Sequence, residues 1–283
     1  MAGLGRNFAF LVPAFFKKGD IMKYYVVSDT HGFCTKLKEA LRIAGFFDET
    51  EPHKLILCGD LLDRGPEACE LVDFMIELME QDKLIYVLGN HEELMVKCLQ
   101  EISRGGVYDI ACGMSVHQRN GTWDSILQIA KMGENEAVSN PLELVRRVLH
   151  SPLYERLMRV GIDYYETPNY IFTHGWIPCY ADIGYGYSRY DYNPNWREAD
   201  PVSWGRARWI NGMEAACVHN VKEPCKTVVC GHWHTSWGHS VIDGKGSEWG
   251  EDADFSPFYA DGVIAIDACT AGTGRVNCII IED

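Results

Sequence analysis

Ten residues of this chain combine side chains able to hold cations and phosphoryl groups: Asp29, His31, Asp60, Asp63, Arg64, Asn90, His91, His174, His232 and His234. Carboxylate and amide oxygens mixed with imidazoles suit Mn, Fe or Zn, and the lack of Cys among them argues against a structural zinc site. Seven or eight candidate ligands exceed the needs of one ion. Two ions sharing a bridging carboxylate would use them all. Such a pair, ~3.5–4 Å apart, clamps the oxygens of a phosphoester and generates hydroxide near neutral pH.

Each of these residues directly follows a short apolar run. Tyr24–Val27 precedes Asp29 and His31, and Leu55–Cys58 precedes Gly59-Asp60 and Asp63-Arg64-Gly65-Pro66. Leu84–Leu88 precedes Gly89-Asn90-His91-Glu92, Tyr170–Phe172 precedes Thr173-His174-Gly175, and Thr227–Cys230 precedes Gly231-His232-Trp233-His234. Continuous apolar runs read as buried strands, and ligands of open α/β sheets sit beyond the strands' carboxyl ends. Leu37, Ala40, Leu41 and Ala44 recur at helical spacing, and a second helix runs from Pro66 to about Glu80. The series is βαβαβ, which predicts a parallel sheet. Further strands are expected at Val263–Ile266 and Val276–Ile281. Residues 99–160 read as a helical insertion, and Trp176–Trp209 as an aromatic-rich loop without regular structure.

A chain of 283 residues with 47% hydrophobic and 23% charged residues is globular. It is expected to form one domain over 22–283, with residues 1–21 an extension outside the core. The net charge of −14 excludes a general nucleic-acid surface. Eleven scattered Cys without a C-x-x-C pair imply reduced thiols and a cytoplasmic location. No apolar run reaches transmembrane length, so no membrane partner is expected.

The ordered set Asp-x-His, Gly-Asp-x-x-Asp-Arg-Gly, Gly-Asn-His-Glu, His-Gly and Gly-His resembles the calcineurin-like metallophosphoesterases, in particular the phosphoprotein phosphatase branch of bacterial type. That resemblance implies an α/β sandwich of two sheets flanked by helices. It implies that Asp29, His31 and Asp60 bind a first divalent metal and that Asp60 bridges to a second, completed by Asn90, His174 and His232. His91 would protonate the leaving group, oriented by Asp63, while Arg64, Asn90 and Arg206 of Trp204-Gly205-Arg206 would bind phosphate. A hydroxide bridging the two metals, Mn foremost with Fe or Zn as alternatives, would attack phosphorus in line.

The implied activity is a Ser/Thr protein phosphatase-like phosphomonoesterase, acting on a phosphorylated protein, a peptide or a small phosphoester. A symmetrical dinucleoside tetraphosphate hydrolase is the alternative, and an inactive scaffold the third reading. Two departures stand out. His174-Gly175-Trp176 replaces His-Gly-Gly, which predicts an aromatic wall beside the substrate. Gly231-His232-Trp233-His234 follows the wider superfamily, which makes His234 a ligand of the first metal. Glu92 is expected to support its helix rather than bind metal, and His53, His117, His150, His219 and His239 are expected at the surface or in loops. The rings of Tyr180, Tyr185, Tyr187, Tyr190, Tyr192 and Trp196 would either stack a base, pack a phosphopeptide groove or fill a loop.

Overall fold

The computed structural model describes residues 22–113, 115–184 and 187–283; residues 1–21 and Tyr185 lie outside them. Strands β1 (Lys23–Val27), β2 (His53–Cys58) and β3 (Leu84–Val87) run parallel. They are linked by helices α1 (Cys34–Ala44) and α2 (Ala68–Glu80). After them come β4 (Tyr165–Glu166), β5 (Tyr170–Phe172), β6 (Tyr180–Gly184), β7 (Tyr187–Asp191), β8 (Thr227–Cys230), β9 (Phe258–Ala260), β10 (Val263–Ala265) and β11 (Ile279–Glu282). One sheet has the order β11-β1-β2-β3, parallel except for its antiparallel edge strand β11, and a second has the order β4-β5-β8-β10-β9, with a parallel centre and two antiparallel edges.

The period of two along each strand decides the layering. Tyr24, Val26, Ile56 and Cys58 point one way and pack with Phe172, Val229, Ile266, Ile279 and Ile281 in a core between the sheets. Tyr25, Val27, Leu55 and Leu57 point the other way, into the helices, where Leu37, Leu41, Leu71 and Met75 meet them. Ile171, Val228, Val263 and Ala265 do the same on the far side of the second sheet, under Trp176, Trp196 and Trp204. The expected mixed α/β sandwich, two sheets flanked by helices, is what forms.

Between β3 and β4 the described residues carry only helices: α3 (Asn90–Ser103), α4 (Val107–Ala111), α5 (Val116–Arg119), α6 (Thr122–Ala130), α7 (Glu134–Ser139), α8 (Pro141–Leu149) and the π-helical turn Leu153–Leu157 that runs into Met158–Val160. The region from Trp176 to Trp209 is more regular than its composition predicts. β6 and β7 pair from Tyr180↔Asp191 to Gly184↔Tyr187, and Asp200 caps the helix Pro201–Ala207 by accepting from the Val202 and Ser203 amides. Tyr190 and Trp196 are buried, and Tyr192 donates to Glu223, so these three rings fill the fold rather than face a ligand. The final strand starts three residues later than the apolar pattern indicates.

Candidate metal centre

The site lies where β1, β2, β3, β5 and β8 end, and its backbone is strained. Asp29 (φ 51°), His31 (47°), Asp60 (53°), Asp63 (76°), Arg64 (68°) and His232 (67°) all adopt the left-handed conformation. Each costs on the order of 1 kcal/mol or more and persists only where the surroundings over-determine it. The turns need glycine at two close approaches. A Cβ on Gly89 would stand 2.1 Å from Asp60 Oδ1, and one on Gly231 would stand 2.1 Å from Asp29 Oδ2.

Two donor groups converge, His31–Asp60–His91 and Asp60–His174–His232, each with ligand atoms within 4.8 Å of one another. Asp60 belongs to both. In the second, His174 Nδ1 donates to the Cys58 carbonyl (2.9 Å), which leaves Nε2 facing Asn90 Oδ1 (2.7 Å) and Asp60 Oδ1 (3.3 Å). His31 repeats the pattern. Its Nδ1 donates to the Leu62 carbonyl (3.0 Å), and Nε2 faces Asp60 Oδ2 (3.9 Å) and Asp29 Oδ1 (4.0 Å). The His232 ring packs edge-on against Trp209, with centroids 5.8 Å apart. A backbone carbonyl on one imidazole nitrogen fixes the tautomer that offers the other to a cation. The donor chemistry therefore fits divalent metal. Asp29 is in neither group but reaches both, its Oδ1 facing His31 Nε2 at 4.0 Å and its Oδ2 accepting the His232 amide at 3.0 Å.

His91 is built differently. Its Nδ1 donates to Asp63 Oδ2 at 2.7 Å, and the same oxygen accepts from Thr122 Oγ1 at 2.6 Å. The Asp63 amide in turn donates to Ser125 Oγ (2.9 Å). Arg64 spans the two imidazoles, with Nη1 2.7 Å from His31 Nε2 and Nη2 3.1 Å from His91 Nε2. Glu92 gathers three backbone N–H groups, those of Gly89 (2.6 Å), Leu61 (2.9 Å) and Asp60 (3.2 Å). It ties the β2 and β3 turns together and does not enter either donor group.

Burial and charge compete across the cluster. Burial pushes the Asp60 carboxyl up, but the imidazoles of His174, His91 and His31 override it and hold Asp60 well below the usual carboxylate range. Burial pulls His174 down, and the Asp60 charge and hydrogen bond more than reverse this, pushing it up to about 10. Burial wins at His31 and His232, both lowered to about 3. At His91 burial again pulls down, and Asp60 and Asp63 leave it raised. Burial and Asp267 push Asp29 well up, and burial pushes Asp267 itself up to about 6.

Two expected site residues lie elsewhere. His234 joins neither donor group: its Nδ1 meets Ser236 Oγ (2.8 Å) and its Nε2 meets Glu248 Oε1 (3.4 Å), because the chain turns into the short helix Thr235–Trp237 directly after it. Arg206 is exposed on its helix and its side chain makes no hydrogen bond or ion pair among the described residues, while Arg208 pairs with Asp163. Trp176 is no wall beside a substrate either, because its ring is buried in the far core. His53 and His117 are buried, against expectation. Thr122 and Ser125 had no sequence signal as site residues. The nearest hint was Asn120-Gly121, where Gly121 (φ 81°) starts α6 with its Cα so near the Arg64 amide that a Cβ would stand 2.3 Å away.

The chain belongs to the calcineurin-like phosphoesterase family, which it matches over residues 22–236. Members of that family are metal-dependent and in most cases dinuclear. It is similar to the asymmetrical bis(5'-nucleosyl)-tetraphosphatase PrpE of Oceanobacillus iheyensis, 24% identical over 166 residues, covering 56% of this chain and 57% of that protein. The symmetrical bis(5'-nucleosyl)-tetraphosphatase of Nitrosospira multiformis is 42% identical over 71 residues, 25% of this chain and 24% of that one. The chain thus spans about half the length, or less, of the curated relatives it matches. Among solved structures, the cold-active protein-tyrosine phosphatase of a psychrophilic Shewanella superposes with a TM-score of 0.48 at 16% identity, over 92% of this chain and 75% of that one.

Proposed function

We propose that this protein hydrolyses phosphoric ester or anhydride bonds with two divalent cations, and that its substrate is a dinucleoside polyphosphate. The observation that carries the hydrolase reading is Asp60, the carboxylate shared by two groups of donors whose imidazoles are pinned through their opposite nitrogens. Asp29, His31 and Asp60 would hold one cation, and Asp60, Asn90, His174 and His232 the other. Bound there, the pair would supply positive charge to phosphoryl oxygens and acidify a water. Mn fits the mixed oxygen and imidazole donor set, as Fe or Zn also would.

The chain's own groups do the rest. Arg64 binds and orients phosphoryl oxygens through its planar fork, which a lysine could not imitate. His91 delivers a proton from Nε2 to the departing oxygen, while Asp63 holds Nδ1–H and the raised affinity for that proton keeps it available near neutral pH. Arg206, solvent-facing and unpaired among the described residues, would reach a phosphate only from the outer side. The free state of all eleven thiols supports a reducing compartment such as the cytoplasm.

The dinucleotide reading rests on the tetraphosphatase names of the relatives. Ser/Thr protein phosphatase activity is the second reading, supported by the order of the motifs. Parallel assays of metal-stripped protein with added Mn, on diadenosine tetraphosphate and a phosphothreonine peptide, separate them. Faster dinucleotide cleavage that Asp60→Asn abolishes is expected. Faster peptide turnover would overturn the substrate assignment, and no activity on either would overturn both.

A further inference from the structure

A row of aromatic rings leads out of the metal centre. Trp209 contacts His232 edge-on at 5.8 Å between centroids, and Trp233 lies 6.0 Å from His232. Trp233 stacks on His234 (6.1 Å, 24°), and Trp249 closes on His234 at 4.2 Å. The three indoles are 46%, 37% and 58% exposed, whereas Trp123, Trp176, Trp196 and Trp204 are buried. The row is held from below. Ser236 Oγ, which meets His234 Nδ1, donates to the Glu248 carbonyl (2.7 Å), and the Glu248 carboxylate meets His234 Nε2. His234 Nδ1 is therefore spent, through Ser236, on fixing the segment that carries Trp249.

Apolar rings this large, exposed yet locked in place next to a phosphoryl-transfer centre, gain most from a flat partner that covers them. Every nucleobase offers such a π-face. Glu248, Glu251 and Asp252 flank Trp249, so this face suits the uncharged base of a nucleotide and not its phosphates. We propose that Trp209, Trp233 and Trp249 form a base-stacking subsite for a nucleotide whose phosphates lie at Asp60 and His232. His234 acts as a positioning residue for it rather than as a metal ligand. The direction in which the nucleotide lies rests on the proposed hydrolase function; the stacking surface does not.

Adenosine, which has no phosphate, is titrated against metal-free protein while tryptophan fluorescence is followed. Quenching in the wild type is expected, with the dissociation constant raised about tenfold in Trp233→Leu and in Trp249→Leu. His234→Ala should weaken quenching similarly yet leave the Mn stoichiometry at two. With Mn, the KM for diadenosine tetraphosphate should rise about tenfold in the Trp variants, and kcat/KM for glycerol phosphate should stay constant. No quenching by adenosine, or a KM for diadenosine tetraphosphate unchanged in both Trp variants, would overturn the subsite. Wild-type protein that binds adenosine but hydrolyses nothing would overturn the hydrolase reading and support the subsite, so the two failures are distinct.

Discussion

Thr122→Val tests the claim that the helical region behind the site holds the proton donor. The Thr122 hydroxyl is fully buried and donates at 2.6 Å to Asp63 Oδ2, the oxygen that also orients His91. Asp63 Oδ1 has no partner, so removing the hydroxyl leaves the carboxylate with His91 as its one side-chain donor among the described residues. Valine keeps the shape. The loss is then one hydrogen bond to an ionised acceptor, about 2 kcal/mol, which moves a urea midpoint by roughly 0.7 M for an m-value near ~3 kcal/mol/M. A less firmly held His91 should cost about tenfold in kcat on an alkyl phosphate, ~1.4 kcal/mol of the barrier. A nitrophenyl phosphate, which leaves without help, should show little change. Thr122→Ser retains the donor, so it should lose about 1 kcal/mol of stability through the missing methyl and keep its rate. Equal rates for the Val and Ser variants on the alkyl substrate, or equal losses on both substrates for Val, would refute the reasoning.

Asp60→Asn removes the charge common to both donor groups, so turnover at saturating Mn should fall by orders of magnitude; wild-type rates would sink the two-metal assignment. Gly231→Ala forces a Cβ to within 2.1 Å of Asp29 Oδ2, and calorimetric titration should show Mn binding weakened at least tenfold, with a lowered melting temperature. An unchanged isotherm would mean that Asp29 is free to move without consequence. The metal-free protein should lose stability as pH rises from about 6.5 towards about 10. The raised His174 pKa means that its stabilising proton is fully present below the unfolded value and leaves through the folded one, whereas the raised Asp267 carboxyl has lost its contribution by about pH 6. Urea melts at pH 6.5 and 9.5 check this, and a rise in stability between them would contradict the charge assignment at Asp60.

Much of the centre was legible because its chemistry is local in sequence. A four-residue apolar run commits the chain to a buried strand, and whatever polar residue follows within a few positions must emerge at the strand's end. Asp60, Asn90, His174 and His232 converge for that reason alone. What failed was direction. His232 turns through a left-handed φ of 67° and His234 follows with φ −59° and ψ 137°, so two histidines two residues apart face different neighbours. Spacing does not encode that. Tyr190 and Trp196 were equally ambiguous, because an aromatic residue in a Gly- and Pro-containing stretch reads the same whether its ring goes inward or outward. Thr122 and Ser125 lie about sixty residues beyond the carboxylate they anchor, and no periodicity reports such a contact.

The same few turns account for both the strain and the reactivity. Six site residues held at positive φ would relax elsewhere in the chain, and here they are clamped by partners distant in sequence: Glu92 on the amides of Gly89, Leu61 and Asp60, α6 on Asp63 and Arg64, and Asp29 on the amide of His232. Glu92 shows the cost of this arrangement. Burial and the Asp60 charge raise its pKa, while the Leu61 and Gly89 amides pull it back down. A glutamine there would relieve the repulsion yet offer a donor to at least one of three backbone N–H groups that need an acceptor. The carboxylate is retained because three N–H groups on two separate turns can be gathered only by a group that accepts on both of its oxygens. Glu92 thus holds the Asp60 backbone, while the His91 amide, donating to Asp60 Oδ1 at 3.0 Å, sets the carboxylate that both donor groups share.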